Sequence, residues 1–464
     1  HTGRSAQQGV DVTQASSMVI RNGRVVDGLG RAPILADVEV IDDKITQVGP
    51  NLLGQPGAQI VDATGHTVMP GLIDTHCHIS FDEVSSNDEL FYHRTREGLS
   101  AIVAAANVQK LLHAGVTSFL DADSLFDVGV DLRDAIEAGI VRGPRMSTGG
   151  NALMTSVGGT AGRLIPDQGR IGYGRVVNSP AEIVAEVRRQ IKIGVDWIKL
   201  HVTGLTPRQN LAGEQQVWHF DELKLAIDTA HDLGTPVVGH CRGAASIQNA
   251  AKAGIDLILH ATFMDDAALA AVATRMIPIV PTFTFQANLA QYGKHIQASP
   301  ELMALFKKEI EDSAVMLQKA KAAGVPLLCG TESGFSLTPY GDWHYRELEV
   351  FVETLGFSPL EAIQAGTSEA ARGLQIQGRS LFGEVGAIAP GYLADIIVVG
   401  GEVDRDVTLL GRPGNVKDVV LNGELLSLPA IPERTDPPGW RVAHYGADIL
   451  RRQAVEAITK GAPQ

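Results

Sequence analysis

Cysteine is nearly absent from this chain: Cys77, Cys241 and Cys329 lie far apart among 464 residues. An odd, scattered set excludes a disulfide framework and fits a reducing, cytoplasmic setting. Positive charge is also short, since 39 Lys and Arg face 53 Asp and Glu, and the balance of −14 disfavours nucleic acid or an anionic membrane surface as a partner. No uninterrupted apolar run reaches the roughly 18 residues that a membrane span needs. There is no internal repeat and no low-complexity tract. What is present is a globular composition, 44% hydrophobic, with enough apolar mass for a large core and small molecules as the expected partners. The chain opens at His1 rather than methionine, which is compatible with processing or a removed targeting segment.

From about Met18 to Asp62 short β-like runs are broken by turn chemistry, with Asn22-Gly23 and Asp27-Gly28 as candidate turns. A matching piece returns at Gly391–Val399 and Val416–Glu424. Two β segments enclosing everything else predict a small β-sandwich made by both chain ends, residues 10–67 and 374–428. Between them, over 68–373, strand-length apolar runs alternate with helix-length periodic segments, the pattern of a parallel α/β fold. Candidate strands are Val68–Asp74, Thr117–Asp121, Arg145–Gly149, Trp197–His201, Pro236–His240, Leu257–His260, Ile277–Pro281 and Pro326–Gly330. They point to a TIM (β/α)8 barrel. Ser179-Pro180-Ala181-Glu182 and Ser358-Pro359-Leu360-Glu361 each place Ser at the N-cap, Pro at N1 and Glu at N3 of a helix. Residues 429–464, with Pro429, Pro432, Pro437 and Pro438 before a charged helical stretch to Lys460, predict an extension packed on the outside.

In such a barrel, chemistry sits where strands end. Asp74-Thr75-His76-Cys77-His78 closes the first candidate strand, and strand alternation sends His76 and His78 to one face and Cys77 to the other. Lys199 ends the fourth, His240 the fifth and His260 the sixth, and Glu332 follows the eighth. Each is a potential ligand or proton carrier. An inward lysine is costly unless it is paired, with Glu332 or Asp74 as candidate partners, or converted by carbon dioxide to a carbamate able to bridge two metals. His201 and Arg242 are candidates for binding a substrate carboxylate or carbonyl. Tyr173, in the glycine-broken loop Ile171-Gly172-Tyr173-Gly174, is a candidate to close over the site, and Gly149-Gly150 and Gly158-Gly159 make that loop a candidate lid. His219, His231 and His344 read as solvated or core histidines, and the cysteines as small buried hydrophobes.

Taken together, Val68–His78, Asp196-Trp197-Ile198-Lys199, Gly239-His240-Cys241, Leu257–Thr262, Gly330-Thr331-Glu332-Ser333-Gly334 and Gly391-Tyr392-Leu393-Ala394-Asp395 resemble the amidohydrolase superfamily, in the branch with imidazolonepropionase, the carboxylated-lysine prolidases and ochratoxinase. The resemblance spans about residues 18–424, and Lys199 tilts it toward the prolidase-like group. It implies two divalent metal ions, zinc first among them, with His76 and His78 on the buried ion, carboxylated Lys199 bridging, and His240 and His260 on the exposed ion. It also implies a homo-oligomer. One position departs: Glu332 stands where most of the superfamily has aspartate, which keeps the carboxylate as general base and acid and leaves its metal-ligand role open. The implied reaction is attack of a metal-bridging hydroxide on a carbonyl, with Glu332 passing the water proton to the leaving nitrogen. The expected substrate is an N-acyl amino acid, dipeptide or aryl amide. The alternatives are a synthetic phenylurea, carbamate or thiocarbamate and, from another class, a barrel that has lost its chemistry and serves as a binding scaffold.

Overall fold

Alternating apolar residues at both chain ends pay off only if those ends meet, and they meet in one sheet. The computed structural model describes residues 16–85, 96–158, 165–169, 172–204, 215–376, 379–380, 382–432 and 449–459. The chain begins with β1 (Ser17–Val25), β2 (Ile34–Ile41), β3 (Lys44–Gly49), β4 (Gln59–Asp62) and β5 (His66–Pro70). The central segment adds β6 (Leu72–Cys77), β7 (Val116–Asp121), β8 (Arg145–Thr148), β9 (Ala152–Met154), β10 (Gly174–Val176) and β11 (Ile198–His201). After the short pair β12 (Thr203–Gly204) and β13 (Gln215–Gln216) come β14 (Val237–Gly243), β15 (Leu257–Phe263) and β16 (Ile279–Val280). Two-residue strands β17 (Gln375–Ile376) and β18 (Arg379–Ser380) precede β19 (Ile396–Gly400), β20 (Val416–Leu421) and β21 (Glu424–Leu425).

The end strands form an eight-stranded sheet in the order β21-β20-β19-β5-β1-β2-β3, with β4 beside β1. The hydrogen bonds link the strands of both chain ends into one continuous sheet. It bends back on itself, because Ile45 N donates to Tyr392 O (2.9 Å) and Gly391 N to Ile45 O (2.8 Å), joining the β3 edge to the approach to β19. Ile20, Val38, Val40, Val68, Ile396 and Val398 fill its concave side. The turn expected at Asn22-Gly23 is instead a bulge inside β1. Register slips there, Asn22 adopts φ 60°, and a Cβ at Gly23 would lie 2.3 Å from Val68 Cγ2.

The central strands are parallel. β6-β7-β8 and β9-β11-β14-β15-β16 are hydrogen-bonded neighbours, with β10 beyond β9. Trp197 N donates to Thr148 O (3.1 Å), linking β8 to the start of β11. The predicted strand Pro326–Gly330 is not a regular strand but an extended segment, bridged at Leu327 to Ile279. Leu328 N donates to Ile279 O and Thr75 N to Cys329 O, so this segment returns the circuit to β6. β9 and β10 lie inside what the sequence presents as a loop; three-residue strands are too short to show periodicity. Residues 159–164 and 170–171 of that loop lie outside the described residues.

Within the ring, Leu120, Ala122, Trp197, Val238, Leu257, Leu259, Val280 and Leu328 form a separate apolar plug. Helices cover the outside. Ser179 accepts from Glu182 N at the start of the helix Pro180–Ile193, and Ser358 forms a capping box with Glu361 at the start of Pro359–Ala365, as their spacing predicts. Of the C-terminal extension, 433–448 and Lys460 lie outside the described residues, while Leu450 and Val455 are buried against the body. Among the described residues no helix is long and apolar enough to cross a membrane.

One buried ion pair joins sheet to ring. Arg145 at the start of β8 donates to Asp395 (2.6 Å), whose carboxylate also accepts from Asn422 N (3.0 Å). Asp395→Ala removes the carboxylate from a part-buried guanidinium that keeps Asn422 Oδ1 as an acceptor, and is expected to cost about 1–3 kcal/mol in urea unfolding. The exposed Lys224–Asp228 pair is the control, where Asp228→Ala is expected to cost less than about 1 kcal/mol.

Candidate metal centre

Strand alternation does most of the work of gathering the predicted residues. Cys77 packs outward into the core while His76 and His78 face the pocket, their backbone tied down by Glu332 N to His76 O (2.6 Å) and His78 N to Ser333 O (2.7 Å). On β11, Trp197 joins the apolar plug and Lys199 and His201 follow above it. On β14, Val238 is in the plug and His240 lies at the pocket. His260 breaks the pattern. Leu257 and Leu259 face inward, so a regular strand would turn residue 260 outward; φ of 74° at His260 and 53° at Ala261 reverse it. Glu332 (φ 57°) and Thr282 (φ 60°) are left-handed as well. Non-glycine residues held this way cost about 1–3 kcal/mol each, and they collect around a single pocket.

Five imidazoles form a row, T-shaped from His78 through His76 and His260 to His240 and stacked between His240 and His201. Ring centroids are 5.0 Å apart for His78 and His76, 5.2 Å for His76 and His260, 4.5 Å for His260 and His240, and 4.8 Å for His240 and His201. Glu332 Oε1 is 4.0 Å from both His78 Nε2 and His260 Nε2. Donor atoms of His76, His260 and Glu332 lie within 4.8 Å of one another. Gly330 makes this convergence possible, since a Cβ there would stand 2.8 Å from His76 N. Phe81, Tyr173 and Phe335 complete the wall.

The sequence reading missed Asp123. Two residues past β7, its carboxylate lies 2.6 Å from His78 Nδ1, 2.9 Å from His201 Nε2 and 3.9 Å from Lys199 Nζ. Lys199 is therefore not paired with Asp74, one of the expected partners: Asp74 accepts from Thr331 Oγ1 (2.5 Å) and His344 Nδ1 (2.7 Å). Paired acids in Asp121-Ala122-Asp123 at a strand end were the available signal.

Tyr173 lines the pocket with its ring 5.5 Å from that of His201. Arg242 stands back from the lining, paired with Glu309 and over the Phe263 ring at 5.5 Å. His219 caps the helix Phe220–Asp232 and His231 pairs with Asp256, so neither joins the site. Asp74, Cys77 and His344 form a second cluster, but both ring nitrogens of His344 are engaged, by Asp74 and by Gly341 N.

Burial holds His76, His240 and His260 well below the ordinary imidazole range, and His201 below it. Burial opposes charge on His78 too, yet Asp123 and Glu332 together raise it. It also lowers Lys199 and raises Glu332, whereas Asp123, surrounded by Lys199, His78 and His201, falls well below the carboxylate range despite its burial. Both ring nitrogens of His260 and Nδ1 of His201 are buried without a hydrogen-bond partner among the described residues. An orphaned buried donor costs about 1–3 kcal/mol. Neutral imidazoles with unspent lone pairs beside a carboxylate are the donor set a divalent ion takes.

Residues 67–426 match the family described as Amidohydrolase family. Ochratoxinase of Aspergillus niger is 27% identical over 440 residues, 90% of this chain and 88% of that protein. Its crystal structure aligns with a TM-score of 0.76 at 25% identity, covering 94% of this chain and 99% of that one. A Xaa-Pro dipeptidase crystallised with methionine in its active site aligns at 0.75 with 28% identity, covering 89% and 100%. Molinate hydrolase, 21% identical with a TM-score of 0.73 over 92% and 99%, shares the fold.

Asp123→Ala is expected to weaken metal retention about 10–100-fold in chelator competition, because His201 loses the carboxylate that holds its Nε2 and His78 loses the charge beside its Nδ1, though that nitrogen keeps its bond to the main-chain carbonyl of residue 123 (3.1 Å). Protein stripped of metal is expected to lose stability as the pH falls below about 6.5. Buried His76, His240, His260 and His201 stay neutral while their unfolded counterparts take up protons, and depressed Asp123 acts in the same direction at lower pH, while raised His78, Asp121, Glu332 and Glu347 oppose. Thermal melts of chelated protein from neutral to mildly acidic pH check this.

Proposed function

The chain belongs to the amidohydrolase family and is a hydrolase acting on C–N bonds, and on that premise we propose that it cleaves the amide bond of an N-acyl amino acid, dipeptide or aryl amide at a pair of divalent metal ions. One observation carries the reading: His76, His78, Lys199, His240 and Glu332, from distant strand ends, line one pocket, and His260, its ring nitrogens unspent, packs against His76 and His240 within reach of Glu332. We read the parallel ring, 68–373, as a closed (β/α)8 barrel, and 10–67 with 374–428 as the second domain.

His76 and His78 would hold one ion and His240 and His260 the other, with Lys199 carboxylated between them and zinc the first choice. Bound divalent metal supplies Lewis acidity toward the carbonyl and acidifies water. Charge balance supports the carbamate. Asp123 and Glu332 are the acids at hand, and two divalent ions beside an ammonium would leave a large positive excess in a site that water does not screen. A neutral amine is what reacts with carbon dioxide, and burial pushes Lys199 toward that form.

Glu332, kept basic enough by burial to take a proton, receives it from the attacking water and delivers it to the leaving nitrogen as the C–N bond breaks. Asp123 locks the orientation of His78 and His201. Phe81, Tyr173 and Phe335 exclude solvent from one flank. His201, on the pocket wall, is our candidate to meet a substrate carboxylate, which the Xaa-Pro dipeptidase likeness favours, whereas Arg242 stands behind it, held by Glu309. The reading of a synthetic phenylurea, carbamate or thiocarbamate rests on Glu332 in place of aspartate. An inert scaffold has no reason to keep this donor set buried at such cost.

Metal-loaded protein is to be screened on N-acyl amino acids, dipeptides, aryl amides and phenylureas. The expected result is amide hydrolysis that falls by roughly a thousandfold in Lys199→Ala and in Glu332→Gln. Turnover of phenylureas alone would move the assignment to the second reading. Protein purified without chelator that carries no metal would support the scaffold.

A further inference from the structure

The segment Ile449–Arg452 crosses the ring next to the pocket, far in sequence from every residue that lines it. Arg451 forms a fork with Glu83, Nη1 to Oε1 at 2.9 Å and Nη2 to Oε2 at 2.5 Å. The same Nη1 donates to Asp342 Oδ2 (3.0 Å), and Arg452 N donates to Asp342 Oδ1 (3.0 Å). Leu450 is buried between the same loops: its N–H donates to Ser336 O (2.8 Å), and its carbonyl accepts from Trp343 Nε1 (2.7 Å).

Glu83 and Asp342 belong to the two loops that build the aromatic wall. Glu83 follows Phe81, whose ring stacks on His78 at 4.4 Å. Asp342 follows Glu332 and Phe335, and the Phe335 ring meets that of Phe81 at 5.5 Å. Asp82 (φ 65°) and Glu83 (φ 57°) are consecutive left-handed residues, a conformation the chain keeps only where outside contacts hold it. Glu83 is 2% exposed, and its charge is met by Arg451 and by Lys110 (3.0 Å).

We propose that Arg451 is a positioning residue of the active site, clamping through Glu83 and Asp342 the loops that carry Phe81 and Phe335 and so fixing the substrate-facing wall beside His78. The clamp acts on the wall rather than on the proton carrier. Glu332 is anchored outside the clamped loops through its N–H on His76 O (2.6 Å).

The inference rests on the amide-hydrolase reading only for its kinetic consequence, so the test has two arms. Hydrogen exchange on the metal-loaded full chain should rise about tenfold or more in peptides covering 79–85 and 333–343 in Arg451→Met, with metal content unchanged. Arg451→Lys should restore most of the protection. Asp342→Asn, which leaves the Glu83 fork in place, should loosen 333–343 alone and guards against a misfolded Arg451→Met. On whichever amide is turned over, KM should rise about tenfold while kcat stays within about threefold. Unchanged exchange in either loop in Arg451→Met would overturn the inference even if hydrolysis were never detected. Equal loss of kcat with intact KM would overturn it too.

Discussion

Everything at the mouth of the ring depends on how one carboxylate, Asp123, is shared. It is the acid nearest Lys199, it sets a negative charge 2.6 Å from His78 Nδ1, and it holds His201 through Nε2. Burying an amine and five imidazoles together is unfavourable unless the charge is met and the donors are used. Asp123 meets part of that demand and Glu332 part of the rest, and nitrogens of His260 and His201 are still left over. The leftover nitrogens are open donor positions beside a carboxylate.

The scaffold answers the same demand by rigidity. An apolar plug centred on Trp197 fills the ring below the site, so the strand ends cannot collapse inward to satisfy the orphaned nitrogens. Left-handed backbone at His260, Thr282 and Glu332 stores strain where the donor groups converge. The Arg145–Asp395 pair and the segment around Arg451 brace the ring from opposite ends of the sequence.

Much of this was legible in the residues, for identifiable reasons. Period-two alternation placed His76, His78, Lys199 and His201 on the inner face, and Ser-Pro-x-Glu spacing marked two helix starts. His260 was named from its strand-end position, although alternation alone would have turned it outward; its orientation comes from two positive φ angles that no side-chain pattern announces. Asp123 went unread because it lies beyond the regular part of β7, where periodicity stops carrying information. Glu83, Asp342 and Arg451 are ordinary surface-type charges in sequence, and only tertiary proximity makes them a unit. Short strands with turn residues mark a β domain made by both chain ends, but they do not say how its sheet pairs or curls, so the eight-stranded order was not legible. Residues 67–426 supply the family likeness, so it bears on the ring and on β5, β19, β20 and β21 of the second sheet but not on β1–β4 or the C-terminal segment.

The central claim is that the five buried side chains His76, His78, Lys199, His240 and His260, with Glu332, exist to hold a pair of cations. Anomalous diffraction from crystals grown with zinc tests it most directly. The account predicts two peaks inside this pocket with density for a carbamate on Lys199 between them; a pocket without peaks, with Lys199 still an amine against Asp123, would contradict it.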